Sequence, residues 1–325
     1  MTRFETDNEF RGVQQRTDLY ATDSQVDEGG DTLDLEASYG LTRQLSLNVD
    51  VPVVLYSHWS TKLAGIRYDQ TAHGIADTTI SATYWLFNCD RYPEKNISFT
   101  TGFRMPTGNS DAKVLYPNSL GQHFQMRPVF PGIQPGSGAW GWRISVDGFQ
   151  RVKRFTLFGT GIYTFSMKEQ NNTYALGVTL NPAGVTATAP NLRYISTPDS
   201  YLFNLGLATG VPKVSRVTAF VQARIAGVPV HNVLTGTSGF RQPGYFVTVE
   251  PGLAFSTSLA NYTISAPLRV NAATRPNFLG SPVSSDFTHN LLVFGVSFKF
   301  GGKKAAPADL GANSPEAGSA SALGK

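Results

Sequence analysis

The chain has 325 residues, of which 41% are apolar, 15% charged and 12% aromatic, with a formal net charge of +4. So little charge beside 32 Gly, 13 Tyr and 21 Phe excludes a disordered chain and suits many strands joined by turns. No apolar run reaches the ~18 residues of a membrane helix. The single Cys89 excludes a disulfide scaffold, and basic residues adjacent only at Lys153-Arg154 and Lys303-Lys304 exclude nucleic acid as a partner.

The first seven residues, Met-Thr-Arg-Phe-Glu-Thr-Asp, hold no apolar segment and are not a signal peptide, so an exported protein is expected to start here in mature or trimmed form. From there, period-two alternation predicts strands at about 9–21, 31–40, 45–57, 74–88, 96–106, 138–150, 154–166, 200–211, 216–228, 244–257, 260–271 and 287–300. Twelve is an even number, as bacterial single-chain outer-membrane barrels require. The first run is irregular, because Phe10, Val13 and Leu19 do not share a parity. Pro52, Pro251 and Pro267 fall inside runs and are expected at bulges or strand ends, since proline lacks the ladder N–H.

The connections alternate in length. Those at 40–44, 89–95, 151–153, 212–215 and 258–259 are short, and those at 22–30, 60–72, 107–137, 167–199, 229–243 and 273–286 are long. Short periplasmic turns alternating with long extracellular loops predict one all-β domain over 1–300, a transmembrane antiparallel up-and-down β-barrel of about 12 strands. A soluble β-sandwich has no reason to keep that alternation.

One parity is apolar and is assigned to lipid: Leu45 to Leu55 in steps of two, Ile97, Phe99, Phe103 and Met105, then Trp142, Ile144 and Val146. It continues through Val217 to Ile225, Val247 to Phe255, Tyr262 to Val270, and Leu292, Phe294, Val296, Phe298 and Phe300 in the closing run. Aromatics at both strand ends, Tyr56, Trp59, Trp140, Trp142, Tyr163, Tyr201 and Tyr245 against Tyr84, Trp85, Phe149, Phe155, Phe255, Tyr262, Phe298 and Phe300, predict two interfacial girdles. Residues 301–325, small and polar, are expected to be a disordered tail.

The opposite parity carries the ionisable groups, and an Arg or Lys facing lipid near mid-membrane costs about 2–4 kcal/mol, so these should face a lumen. The candidate solute pathway is Asp34, Glu36, Asp50, Asp77, Arg104, Arg143, Asp147, Arg224, Glu250, Arg269 and Lys299. Acids lead in the early strands and bases in the later ones. Closing the sheet would either set a transverse field across the lumen or bring the charges together as pairs that fill it.

Enzyme signals are poor. His58, His73, His123, His231 and His289 lie in or beside long loops without metal-ligand spacing, and no metal or cofactor is expected. A barrel hydrolase would want a Ser–His pair near the outer interface; His58-Trp59-Ser60 is the one His-x-Ser, and the sequence names no third group to orient it.

Four stretches carry a family resemblance: Gly74-Ile75-Ala76-Asp77-Thr78-Thr79-Ile80 leading to Tyr84-Trp85-Leu86; Phe103-Arg104-Met105-Pro106-Thr107-Gly108; Gly136-Ser137-Gly138-Ala139-Trp140; and Phe294-Gly295-Val296-Ser297-Phe298-Lys299-Phe300. In order and spacing they resemble the outer-membrane transporter family named for the meta-pathway of phenol degradation, over roughly 30–300. Where many of its members would have Gly-x-Gly-Asp, this chain has Gly74-Ile75-Ala76-Asp77. The resemblance implies a bacterial outer-membrane barrel passing small, often aromatic molecules, and no catalytic residues.

The expected function is thus a passive conduit in outer-membrane lipid, with the loops at 107–137 and 167–199 either folded inward as a constriction or standing outside. The alternative is a non-transporting barrel that anchors or encloses an envelope protein through its loops or tail.

Overall fold

The computed structural model describes residues 1–300 except 7–8, 23–24, 119, 176–178, 182–183, 187–189, 215, 288–289 and 299. The predicted tail, His289 and Lys299 lie outside the described residues.

The chain folds as a closed antiparallel barrel of twelve strands. They are β1 (Thr2–Thr6), β2 (Asp27–Gly40), β3 (Leu45–Leu63), β4 (Thr79–Trp85), β5 (Lys95–Arg104) and β6 (Gly141–Val152). Then follow β7 (Phe155–Ser166), β8 (Ser200–Gly210), β9 (Val217–Val228), β10 (Gly244–Ser256), β11 in two pieces (Ala260–Ser265 and Leu268–Thr274) and β12 (Asn290–Phe298). Each pairs with its neighbour, and β1 closes the ring by pairing Thr2 with Val293 of β12 and with Thr32 of β2.

The apolar parity faces out. Leu47, Phe99, Phe103, Val146, Leu253, Val270 and Phe294 are all exposed, as a lipid-contacting face must be. Nineteen residues of β3 reach roughly 60 Å at ~3.3 Å per residue, more than a ~25 Å apolar band takes up even at a ~40° tilt. Its outer part, paired with Ile66–Ile75 through a tight turn at Ala64-Gly65, therefore stands clear of the membrane as a hairpin arm.

The first barrel strand is not the predicted 9–21 but Thr2–Thr6. Thr2, Phe4 and Thr6 are buried toward the lumen, with Phe4 packed on Leu291 and Val293. Arg3 and Glu5 point out and pair with each other at 3.2 Å. A five-residue strand with a charged outer face carries no lipid signal in its sequence. The irregular run instead makes short strands at Glu9–Arg11 and Gln14–Gln15, joined to Ser284–Asp286, and a 3-10 helix at Thr17–Thr22.

Two prolines mark gaps in the neighbouring strand rather than bulges in their own. The carbonyl of Pro52 accepts from the amide of Ala76, where the arm ends and before β4 begins; that of Pro251 accepts from Ala266, between the two pieces of β11. A strand residue aims its N–H and C=O at the same neighbour. Each missing proline N–H therefore faces a place where the partner ladder is already broken, and Pro267 lies within the second gap.

The girdles also need correction. Trp85 pairs with Ser98 and Phe149 with Asn96 on the inward face, and the two rings meet edge to face inside the barrel at 6.2 Å. Trp59 is inward and buried. Tyr84, Phe255 and Tyr262 remain outside, with Arg154 over Phe155 (4.8 Å) at one rim and Arg275 over Tyr245 (5.6 Å) at the other.

Candidate functional site

Around β7–β11 the lumen is filled by its own wall. Phe158 and Phe220 point inward and meet edge to face at 6.5 Å. Each ring lies over a glycine of the next strand: a Cβ at Gly206 would come within 2.3 Å of Phe158, and one at Gly252 within 2.2 Å of Phe220. Toward the extracellular end, Ile162, Leu202, Ala226, Phe246, Ala272 and Phe287 form a buried cluster.

The same wall holds a buried ionic network. Glu250, 0% exposed, accepts from Gln222 Nε2 at 2.7 Å, from Arg224 Nη2 at 2.8 Å and from the Ser265 hydroxyl. Arg269 donates to the Phe287 carbonyl. Arg224 thus meets its counter-charge on the adjacent strand, not across the barrel, and here the charges pair and fill.

The β2–β6 wall is different. Asp34 lies opposite Pro52, and Glu36 directly opposite Asp50, all on inward parity. Glu36 is exposed, while Asp34, Asp50, Arg143 and Asp147 are partly exposed. The Ser145 hydroxyl donates to Asp147 Oδ2 at 3.2 Å. Ser81, Thr83 and Thr100 continue this hydrophilic strip, with Thr83 and Thr100 sharing a 2.8 Å hydrogen bond.

Asp77 does not sit in a strand. It occupies the gap after the arm, 6% exposed, and grips both ends of the long 107–137 connection. Its Oδ1 accepts from the amide of Gly108 (3.2 Å), and its Oδ2 accepts from the amide (2.8 Å) and the hydroxyl of Ser137. Arg104 Nε lies 3.9 Å away. Gly108 and Gly136 touch backbone to backbone, so close that a Cβ on Gly136 would fall 2.2 Å from the Gly108 carbonyl carbon. Thr107 Oγ1 donates to the Ala76 carbonyl at 2.8 Å. Three of the four family-like stretches meet at this one neck.

Beyond the neck the connection turns inward. Its 3-10 turn Pro131–Ile133 brings Phe130 onto Trp59, stacked at 4.8 Å, with Val129, Ile133, Ala72 and Tyr116 completing a buried cluster. Gln70 accepts from the amide of Phe130 at 2.6 Å, and Ser57 donates to the carbonyl of Ile133 at 3.0 Å. Burial of the Tyr116 hydroxyl pushes its pKa up to about 12.

The remaining loops lock onto one another. Asp199, 0% exposed, accepts from the amides of Ser166 and Val233, both at 2.7 Å, and from the Tyr163 hydroxyl at 3.1 Å. Arg241 donates to Ser196 Oγ (2.7 Å), to Asn232 Oδ1 (2.9 Å) and to the carbonyl of Val230 (3.0 Å). Burial lowers its pKa to about 10 against the opposing pull of Asp199.

His58 and Ser60 do not assemble as nucleophile and base. Ser60 is buried and accepts from Arg67 Nη1 at 3.4 Å, while His58 Nε2 lies 3.8 Å from Asp27 Oδ1. Among the described residues no cluster of His, Cys, Asp and Glu could hold a metal ion.

Sequence reading missed Asp199, Arg241, Asn232, Ser137 and the Trp59–Phe130 contact. One signal was present: Asp199, like Asp77, is an acid beside a strand end with small polar neighbours, a setting in which carboxylates collect backbone N–H groups.

No family model matches the chain, and no curated protein matches it. Among solved structures, it resembles an outer-membrane channel from Pseudomonas putida F1 with a TM-score of 0.54 at 14% identity, over 91% of this chain and 92% of that one. The KdgM porin aligns with a TM-score of 0.37 at 11% identity, over 92% and 99% of the two chains. The translocator domain of the autotransporter NalP from Neisseria meningitidis aligns with a TM-score of 0.44 at 12% identity, over 92% and 88%. The first likeness establishes the fold, an outer-membrane β-barrel, and the fold points to the bacterial outer membrane. No matching family model stands behind the phenol-pathway resemblance.

Proposed function

We propose that the chain is a non-enzymatic outer-membrane channel for passive diffusion of small molecules, narrowed at its mouth by the inward-folded 107–137 connection. The observation that carries this reading is the asymmetry of the lumen. The β7–β11 side is packed with buried side chains, whereas Glu36, Asp50, Arg143 and Asp147 keep water-accessible surface on the β2–β6 side. A solute would pass along that hydrophilic strip, where Glu36, Asp50 and Asp34 make the wall acidic and favour cations or neutral polar groups over anions.

The aromatic character of the solute rests on the motif resemblance. Inside the barrel it has the Trp85–Phe149 pair as a match at the periplasmic end. Planar-bilayer recording and solute flux into liposomes test the channel. The expected result is a small, cation-preferring conductance that loses its preference in Glu36→Gln/Asp50→Asn. Absence of both conductance and flux would reject the reading.

A further inference from the structure

We propose that the lipid-facing wall of β5–β8 carries a binding site for one anionic phospholipid of the periplasmic leaflet. Its phosphate sits between Lys95 and Arg154, and one acyl chain lies in a groove running from them toward mid-membrane. The site rests on the barrel standing in a bilayer, not on what passes through the lumen.

The groove lies on the outside of the wall. It holds about 340 Å³, at the low end of the range for small-molecule sites. Ile97, Leu157 and Leu205 border it, and all three are exposed on the apolar parity. Its floor is one row across four strands: Gly148 pairs with Ile97 of β5 and with Gly159 of β7, and Gly159 in turn with Leu205 of β8. Large side chains thus stand at the two ends of a row whose middle has none. Both pairings run past Gly148 without a register shift, so no bulge accounts for that glycine.

Packing does not call for glycine at position 148. A Cβ there would meet only the Asn96 carbonyl and Ile97, each at 3.6 Å, which is ordinary contact. Gly206 and Gly252 differ, since a Phe ring presses on each. Glycine weakens a strand interior and recurs where a ligand approaches the backbone closely. Gly159 is tighter, with the Asn204 carbonyl 3.1 Å and Leu205 3.3 Å from a Cβ, and it extends the same floor.

The charge is at the periplasmic end. The row below the glycines is Lys95, Gln150 and Leu157, and beyond it the Arg154 guanidinium lies over the Phe155 ring at 4.8 Å. Lys95 on β5 and Arg154 at the foot of β7 are two strand spacings apart, about 10 Å, a gap that two long side chains close around one phosphate. Neither is in an ion pair among the described residues, whereas Arg43 on the neighbouring turn is matched by Asp90 at 2.5 Å. Arg151 and Lys153 add to the positive charge, and Glu94, beside Lys95, opposes it. Each Lys or Arg near the membrane surface favours an anionic headgroup about fivefold. A free phosphate would have no use for the apolar groove, and a zwitterionic lipid none for the cations.

The test uses the full chain with Cys89→Ser in phosphatidylcholine vesicles holding a small fraction of brominated phosphatidylglycerol or brominated phosphatidylcholine. A fluorophore on Val146→Cys, one row above the groove, reads its occupancy by quenching; one on Leu253→Cys of β10 is the reference away from it. At 146 the anionic lipid should reach half-maximal quenching at a mole fraction about fivefold lower than the zwitterionic one, as two close cations opposed by Glu94 would give. At 253 the two lipids should quench alike. Lys95→Gln/Arg154→Gln should abolish the difference at 146. Gly148→Leu should abolish it too, because it fills the groove while keeping every charge; a heat-modifiable gel shift establishes that each variant is folded. The same preference at both positions, no preference at 146, or one that survives either variant would overturn the proposal. Conductance enters none of these outcomes, so a barrel that passes nothing would reject the channel reading and leave the lipid site standing.

Discussion

Sequence parity places the carboxylates of Asp77 and Glu250 alike on the inward face, and the folded chain uses them differently, Asp77 lying between strands and Glu250 within one. Asp77 binds the neck of a loop, so Asp77→Asn, which turns one oxygen into a donor facing donors, should loosen that neck. Each hydrogen bond to a charged group contributes about 1.5–3 kcal/mol. The barrel should still fold and show a heat-modifiable gel shift, but limited proteolysis should nick 107–137 several times faster. Glu250 instead neutralises Arg224 within the wall, and breaking a buried pair from one side costs about 3–5 kcal/mol. Arg224→Met should lower the unfolding free energy obtained by urea titration in lipid vesicles by that amount, and Arg224→Met/Glu250→Gln should recover part of it. Tyr116 adds a pH signature. An unfolded chain releases this proton near 10.0, the folded protein only near 12, so between those values the folded state holds more protons and stability falls as pH rises. Tyr116→Phe should remove that contribution from a plot of melting temperature against pH. At this scale the sequence placed Arg224 and Glu250 on the inward face through parity. It could not say that a carboxylate between strands would turn to a loop neck, because the Ser137 donor is 60 residues away.

Strand periodicity was legible wherever one face met lipid and the other met polar groups, as in β3, β5 and β9. It failed in β1, where the outward positions are Arg3 and Glu5. It also misassigned Trp85 and Phe149, since an aromatic near a strand end reads as a girdle residue whichever way it points. The prolines show why local rules mislead within a sheet. Pro52 and Pro251 suit central strands because the neighbouring ladder breaks opposite them, and that depends on another strand's sequence. Phe220 and Gly252 are coupled in the same way: the ring needs the absence of a Cβ on the next strand. Gly252→Ala should destabilise by about 1–3 kcal/mol through overpacking. Adding Phe220→Leu should return part of the lost denaturant midpoint, and a second change with no such rescue would separate this contact from a backbone effect.

At the scale of the molecule, the even number of strands and the alternation of short and long connections were enough to specify a barrel with its loops on one side. Where the loops go was not specified. An inward fold of 107–137 depends on Trp59 turning to the lumen and on two glycines tolerating backbone contact, neither of which has a period. A transmembrane barrel of this topology requires β6 to carry lipid-facing and lumen-facing residues in strict alternation within a bilayer. Single cysteines at Arg143, Ile144, Val146 and Asp147 in a Cys89→Ser chain, labelled with a fluorophore and reconstituted with brominated-chain lipid, measure this directly. Strong quenching at 144 and 146 with weak quenching at 143 and 147 is the predicted result; equal quenching at all four, or the opposite alternation, would contradict it.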